Sequence, residues 1–153
     1  MKVIIDIDEN CIEDQVIIKC QYFSDEIALL QKSINNSLSE AIKLELHKDH
    51  KDFYIDVEEI LFFETDCDVV KAHTKDDIFE TKYRLYELEK ILPWTFCRIS
   101  KSAILNVNKI YAITKNITAS SEVEFKDSYK HVFVSRGYYK PLKSKIDEMR
   151  KKR

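Results

Sequence analysis

The chain has 153 residues, of which 44% are hydrophobic and 34% charged, with a formal net charge of −2. That is room for one folded domain with a small appendage, and it is too apolar for a disordered chain. A single glycine, Gly137, excludes glycine-rich phosphate-binding loops and the Gly-x-Ser-x-Gly nucleophile elbow, and two prolines leave no proline-rich linker.

Residues 2–8 and 15–20 are rich in β-branched side chains between polar turns and predict two strands. Ser24 is placed to cap a helix whose first turn holds Asp25 and Glu26. Ile27, Leu30, Ile34 and Leu38 form its apolar face, and Asn35-Asn36 is where it frays or ends. Residues 42–46 alternate as a half-buried strand should, and His47 to Asp52 reads as a charged loop. That loop suggests a boundary between an N-terminal element, residues 1–44, and a main domain, residues 45–153. Short strands follow at 53–55, 60–64, 69–74 and 78–81, with turns at 57–59 and 66–68. Leu85, Leu88, Ile91 and Leu92 predict a short helix stopped by Pro93. Strands return at 96–99 and 109–113, and 122–125 with 131–134 reads as a hairpin around 126–130. A last helix begins near Arg136 and carries Leu142, Ile146 and Met149 on one face. The fold class is therefore mainly β (α+β), with an N-terminal strand-strand-helix extension.

No segment approaches the roughly 18 apolar residues of a membrane span. Acids interrupt the apolar N-terminus, so it is not a signal peptide. The four cysteines form no Cys-x-x-Cys pair and are expected as free thiols in or near the core of a cytoplasmic protein. His47-x-x-His50 is the only hint of a metal-ligand pair and reads as solvated loop histidines, so no cofactor or metal is expected. Asp6 and Asp8 follow an apolar run like the acids of a phosphoacceptor pocket, but such a pocket needs a full doubly wound sheet, and they read as solvated acids. The remaining carboxylates mark no acid–base pair, and no catalytic residue is assigned. An enzyme is not expected.

Charge is unevenly distributed. Residues 96–153 hold 14 basic and 5 acidic side chains, whereas residues 1–95 hold 11 basic and 22 acidic ones. Either the halves neutralise each other in the fold or the basic half meets a polyanion. Arg98-Ile99-Ser100-Lys101-Ser102 gathers two cations and two hydroxyls without an acid, a set suited to phosphate oxygens and guanine edges. Ser135-Arg136-Gly137-Tyr138-Tyr139-Lys140 lies between a strand and the last helix, where Ser135 could cap the helix and leave its positive end facing an anion. The plainer reading makes Ser135 only a cap and the two tyrosines only packing.

At these residues the sequence resembles the LytTR family of bacterial DNA-binding domains. The pattern runs Ile60-x-Phe62-x-Glu64, Phe96-x-Arg98-Ile99-Ser100-Lys101-Ser102, Asn106, Ile110 and Val134-Ser135-Arg136-x-Tyr138 with Leu142, over about residues 45–148. The resemblance implies antiparallel sheets whose loops enter the major groove of double-stranded DNA, in transcription regulators that place two protomers on paired direct repeats. It maps three reading loops onto Asp66-Cys67-Asp68 with Val69, Ser100-Lys101-Ser102, and Arg136 through Lys140. Lys101 is implied as a base reader, Arg98, Ser102, Arg136 and Lys140 as phosphate or base contacts, and Ser135 as the residue positioning its loop; Ser100, Tyr138 and Asp68 belong to the same set. Asp66 and Asp68 imply either acceptance from cytosine amino groups or a first loop that stands off the duplex. With only about 45 residues upstream, the chain resembles stand-alone regulators lacking a receiver domain, some of which are held inactive by a small membrane protein. Residues 1–44 would then serve dimerisation or docking of such an inhibitor, or merely complete the sheet. The competing reading is a non-catalytic interaction module whose basic half, ending Arg150-Lys151-Lys152-Arg153, binds an acidic protein or a membrane surface.

Overall fold

The structure, a computed structural model, describes residues 4, 6–10, 15–38 and 42–151, and the chain divides into two units, 1–38 and 39–153. In the first unit, helix α1 (Asp25–Leu38) starts at the expected cap. Ser24 Oγ accepts from the Ile27 N–H at 3.3 Å and the Ser24 carbonyl from the Ala28 N–H at 2.9 Å. The helix runs through Asn35 and Asn36, where no glycine or proline stops it. Ile27 and Ile34 line, with Val16, Ile18, Cys20 and Phe23, a cleft of about 370 Å³. The strand expected over 15–20 does not form: that segment has no ladder partner among the described residues, and a lone extended segment leaves its N–H and C=O groups to water. The strand expected over 2–8 falls partly outside the described residues, and residues 4 and 6–8 carry no regular structure.

The second unit begins with strands β1 (Lys43–Lys48) and β2 (Lys51–Asp56), paired from Lys43↔Asp56 to Lys48↔Lys51. Residues 47–52 are thus the closed end of a hairpin, not a boundary. Because β1 is hydrogen-bonded into a sheet, the division between units lies between Leu38 and Ser39 and not at 44. Strands β3 (Ile60–Asp66), β4 (Val69–Thr74) and β5 (Ile78–Thr81) follow, then helix α2 (Leu85–Ile91) and strands β6 (Phe96–Ser100) and β7 (Ala103–Asn106). These seven strands make one antiparallel sheet in the order β2-β1-β5-β4-β3-β7-β6. Strands β8 (Ile110–Thr114), β9 (Ser121–Phe125) and β10 (His131–Val134) form a second sheet, and helix α3 (Arg136–Lys151) closes the chain. Strand β7 was not expected. It follows a two-residue turn and reads as an uninterrupted apolar run, because a strand buried on both faces shows no alternation.

Two cores form on the two faces of the larger sheet. One holds Leu44, Leu46, Val57, Ile60, Phe63, Phe79, Leu88 and Ile104. The other holds Phe62, Ile99, Leu105, Val123, Phe125, Val134 and Leu142, and joins the sheets to α3. Phe62 stacks on Phe125 across the sheets at 5.5 Å between ring centroids. The buried Lys130 ammonium adds a polar tie, donating to the carbonyls of Thr74 at 2.7 Å and Asp77 at 2.5 Å. Burial is the main influence on it and pulls its pKa below the usual lysine value. Three of the cysteines sit less deeply than expected, Cys20 and Cys67 exposed and Cys97 half-buried, and Cys11 lies outside the described residues.

Two hairpins close with two-residue turns in which both central residues have positive φ: Asp49 (51°) and His50 (61°), then Cys67 (48°) and Asp68 (67°). Such turns match the twist of paired strands but favour Asn-Gly or Asp-Gly. Here four side-chain-bearing residues occupy the left-handed region, at a cost of about 1 kcal/mol each. His50→Gly creates the preferred Asp-Gly pair on an exposed turn, so it should raise stability by about 1 kcal/mol in urea-induced unfolding.

Candidate nucleic-acid interface

Strand register brings the predicted loops to one end of the larger sheet. The β3–β4 turn, Cys67-Asp68, and the β6–β7 turn, Lys101-Ser102, sit side by side because β3 pairs with β7 through Phe62↔Leu105, Phe63↔Ile104 and Glu64↔Ala103. The Thr65 N–H donates to the Ser102 carbonyl at 2.8 Å and ties the two turns together. The Ser135 N–H donates to the Ile99 carbonyl at 2.9 Å, which brings the start of α3 to the same end.

Within the β6–β7 turn, Arg98 is largely an internal clamp. Its Nε donates to the Ser100 carbonyl at 2.7 Å and its Nη2 to the Lys101 carbonyl at 2.5 Å, while Nη1 pairs with Glu89 at 3.0 Å. Charge-assisted bonds of this kind each contribute about 1.5–3 kcal/mol. Ser100 Oγ accepts from the Ser102 N–H at 3.1 Å and lies 3.3 Å from Ser102 Oγ, which completes a tight turn. Lys101 is left exposed at the tip, and its ammonium has no partner among the described residues.

The acids of the first turn are partly neutralised. Asp66 pairs with Lys71 at 2.6 Å, and that hydrogen bond, with a second from Cys67, holds its carboxyl below the usual range. The Asp68 carbonyl accepts from Arg84 Nη1 at 3.0 Å, and the Asp68 side chain is exposed. Lys71 and Arg84 were not singled out in the sequence, since both lie in its acidic half and only strand pairing brings them to this turn.

At the third element, Arg136, Gly137 and Lys140 are exposed, whereas Tyr138 and Tyr139 pack partly against the second core. The Ser135 carbonyl accepts from the Tyr138 N–H at 2.9 Å. Its hydroxyl makes no capping bond among the described residues, so the cap expected from Ser135 is made by the backbone. A Cβ at Gly137 would meet nothing within 4 Å. The first turn of this 16-residue helix is therefore open to solvent at Gly137, beside the exposed Arg136. Asn106, also part of the recognised pattern, is fully buried and structural: its amide donates to the Ile60 carbonyl at 3.0 Å and its Oδ1 accepts from the Asn108 N–H at 3.2 Å.

Residues 50–147 match the LytTr DNA-binding domain family. The chain belongs to the LytTR family of DNA-binding domains. It is 30% identical over 146 residues to an uncharacterised HTH-type transcriptional regulator of Staphylococcus aureus strain NCTC 8325 / PS 47, covering 95% of this chain and 98% of that protein. The counterpart in Staphylococcus aureus strain COL matches to the same extent. In structure the chain is similar to the LytTr DNA-binding domain of a putative methyl-accepting/DNA response regulator from Bacillus cereus, with a TM-score of 0.63 and 22% identity over 68% of this chain and 95% of that one. The likeness establishes the mainly antiparallel β fold. This LytTR chain carries no helix-turn-helix among its described residues, since β1–β5 separate α1 from α2 and β6–β10 separate α2 from α3. The family is one of DNA-binding domains and not of enzymes.

One group in the LytTR unit, Glu45, His47 and Asp52, brings three possible metal-ligand atoms within 4.8 Å of one another. It lies on an accessible sheet face, and His47 Nδ1 is already 2.5 Å from Asp52 Oδ1, so a side-chain hydrogen bond accounts for it. His73, by contrast, is buried and stacked on Phe62 at 4.2 Å. Glu64 Oε1 lies 2.9 Å from its Nε2 without forming an aligned hydrogen bond. Burial, helped by the positive charges of Lys130 and Lys71, lowers the His73 pKa from 6.5 to about 4, and burial raises that of Glu64. A histidine with a depressed folded-state pKa binds its proton more readily when unfolded. Its neutral form therefore contributes stability above pH 6.5 that is lost as pH falls towards 4. His73→Phe keeps the ring stack and removes the titration, so thermal melts should show a flatter fall in Tm between pH 6.5 and 4 than in the unaltered protein.

Proposed function

We propose that this chain is a sequence-specific transcription regulator that docks on duplex DNA through the end of its larger sheet. Lys101 carries the reading: it is an unpartnered ammonium at the tip of a turn whose two carbonyls Arg98 holds in place. A side chain presented on so constrained a support can enter the major groove with little further loss of backbone freedom and reach guanine O6 and N7. Ser102, Arg136, Lys140 and the positive end of α3 take phosphates on either side. Arg98 acts chiefly by positioning Lys101, and Ser100, Ser135 and Tyr138 by shaping their loops. Two copies occupy a direct repeat. The family and the regulators named in Staphylococcus aureus support this reading. The protein acts in the cytoplasm, and among the described residues no helix is long and apolar enough to cross a membrane.

Binding to fluorescent duplexes, after rounds of selection from random sequence, tests the assignment. Lys101→Ala should cost roughly 1–3 kcal/mol on the selected site and relax preference at one position. Lys109→Ala should cost less and act equally on all duplexes. Enrichment of no sequence by folded protein would instead favour a module that binds acidic proteins or membrane surfaces.

Residues 1–38 are proposed to be a dimerisation or inhibitor-docking element, the inhibitor being a small membrane protein. Ile7 (86% exposed), Ile4 (73%) and Phe23 (69%) stand open in a unit too small to bury them alone. Deleting residues 1–38 should leave 39–153 folded but change its mass in solution or abolish regulation. A truncated protein with unaltered mass and regulation would refute that role.

A further inference from the structure

The acidic first turn would repel the phosphates on either side of a groove unless a cation outside the three loops offsets it. Strand β5 supplies the candidate. It runs towards the reading end, with Thr81 opposite Val70, so the residues that follow it emerge beside the β3–β4 turn. These are Lys82, Tyr83 and Arg84, all exposed, before Leu85 anchors α2 in the first core. Their course is fixed: the Tyr83 N–H donates to Thr81 Oγ1 at 3.2 Å, and the Arg84 N–H to Glu87 Oε2 at 2.8 Å. Arg84 then reaches over to the turn and donates to the Asp68 carbonyl at 3.0 Å. Among the described residues its other guanidinium N–H groups have no partner, and neither has the Lys82 ammonium.

Spacing decides what these groups meet. Paired strands lie about 4.8 Å apart. The β3–β4 and β7–β6 turns are two strand steps apart in the sheet order, or about 10 Å, which fits a major groove about 12 Å wide. The end of β5 lies one and a half steps beyond the centre of the first turn, about 7 Å further out, over the wall of the groove and not its floor. A phosphate backbone runs along that wall.

We infer that Lys82 and Arg84 form a fourth DNA-contacting element, which grips the phosphates flanking the first turn while Arg84 makes that turn tolerable to the duplex. Lys71 pairs with Asp66, and the Arg84 guanidinium, bonded to the Asp68 carbonyl, sets a second positive charge beside the turn. The inference rests on the DNA-binding reading above and names a residue set that the three-loop pattern omits.

The test is fluorescence anisotropy of the full chain on the selected duplex and on a random duplex, titrated from roughly 50 to 200 mM salt. Lys82→Gln with Arg84→Gln should weaken binding to both duplexes by a similar factor, about tenfold, and should reduce the slope of log affinity against log salt by about 2, at about 0.9 per phosphate contact. Lys82→Gln alone, at an exposed position that bears on no fold contact, should reduce it by about 1. Slopes equal to the unaltered protein in both variants would overturn the fourth element while leaving the DNA-binding reading intact. Loss confined to the selected duplex with no change in slope would also overturn it, reducing Arg84 to a prop for the turn. An unaltered protein that binds no duplex in a salt-dependent way would overturn both.

Discussion

Everything at the end of the sheet that carries Asp68 and Lys101 depends on β3 lying beside β7. These strands are distant in sequence, and their pairing has to be bought by burial on both faces: Ile60 and Phe63 enter one core and Phe62 the other, with Ile104 and Leu105 divided in the same way. The irregularity between Ile60 and Phe62 shifts the register so that four consecutive residues of β3 are buried. A one-residue slip would turn the apolar set to the wrong faces and would also carry Lys101 and Asp68 out of line. The fold and the site are therefore fixed by one register.

Scarcity of glycine shapes how the turns are held. The hairpins at Asp49-His50 and Cys67-Asp68 enter the left-handed region with ordinary side chains, and the surrounding structure must compensate. At Asp68 it does so with Arg84, which bonds the carbonyl, and elsewhere side-chain cations hold other turns in the same way: Arg98 bonds Ser100 and Lys101, and Lys130 bonds Thr74 and Asp77. Arg84 and Lys130 bind loops distant in sequence, so the geometry of those loops is tied to tertiary structure, whereas Arg98 clamps its own turn. That suits a surface meant to keep its shape before it meets a ligand.

Elements with a local signature were legible in the sequence. Ser24 marked the start of α1, Pro93 the end of α2, alternation β1, and short runs between turn signals the strands that follow it. What failed was non-local. The apolar run at 15–20 looks like a strand, but a strand exists only with a partner, and β7 lacked the alternation that burial on both faces removes. Arg98 could be picked out as a cation beside a serine pair, yet its engagement with two carbonyls and Glu89 depends on a turn geometry that composition does not express. Lys71 and Arg84 were invisible for the same reason.

The charge imbalance between the halves does not map onto the fold as two separate regions. Of the basic residues after position 96, Arg98, Lys130 and Lys145 spend their charge inside the fold, Lys145 by donating to the Phe96 carbonyl at 2.8 Å. The acidic half, meanwhile, contributes Lys71 and Arg84 to the end of the sheet where Lys101 and Arg136 stand. Attraction of a polyanion falls off within about 10 Å at ordinary salt, so what counts is the charge gathered at one sheet end and not the sum over a stretch of sequence. Strand order interleaves residues from both halves along that end, so Lys71 and Arg84 stand with Lys101 and Arg136 beside the acids of the first turn.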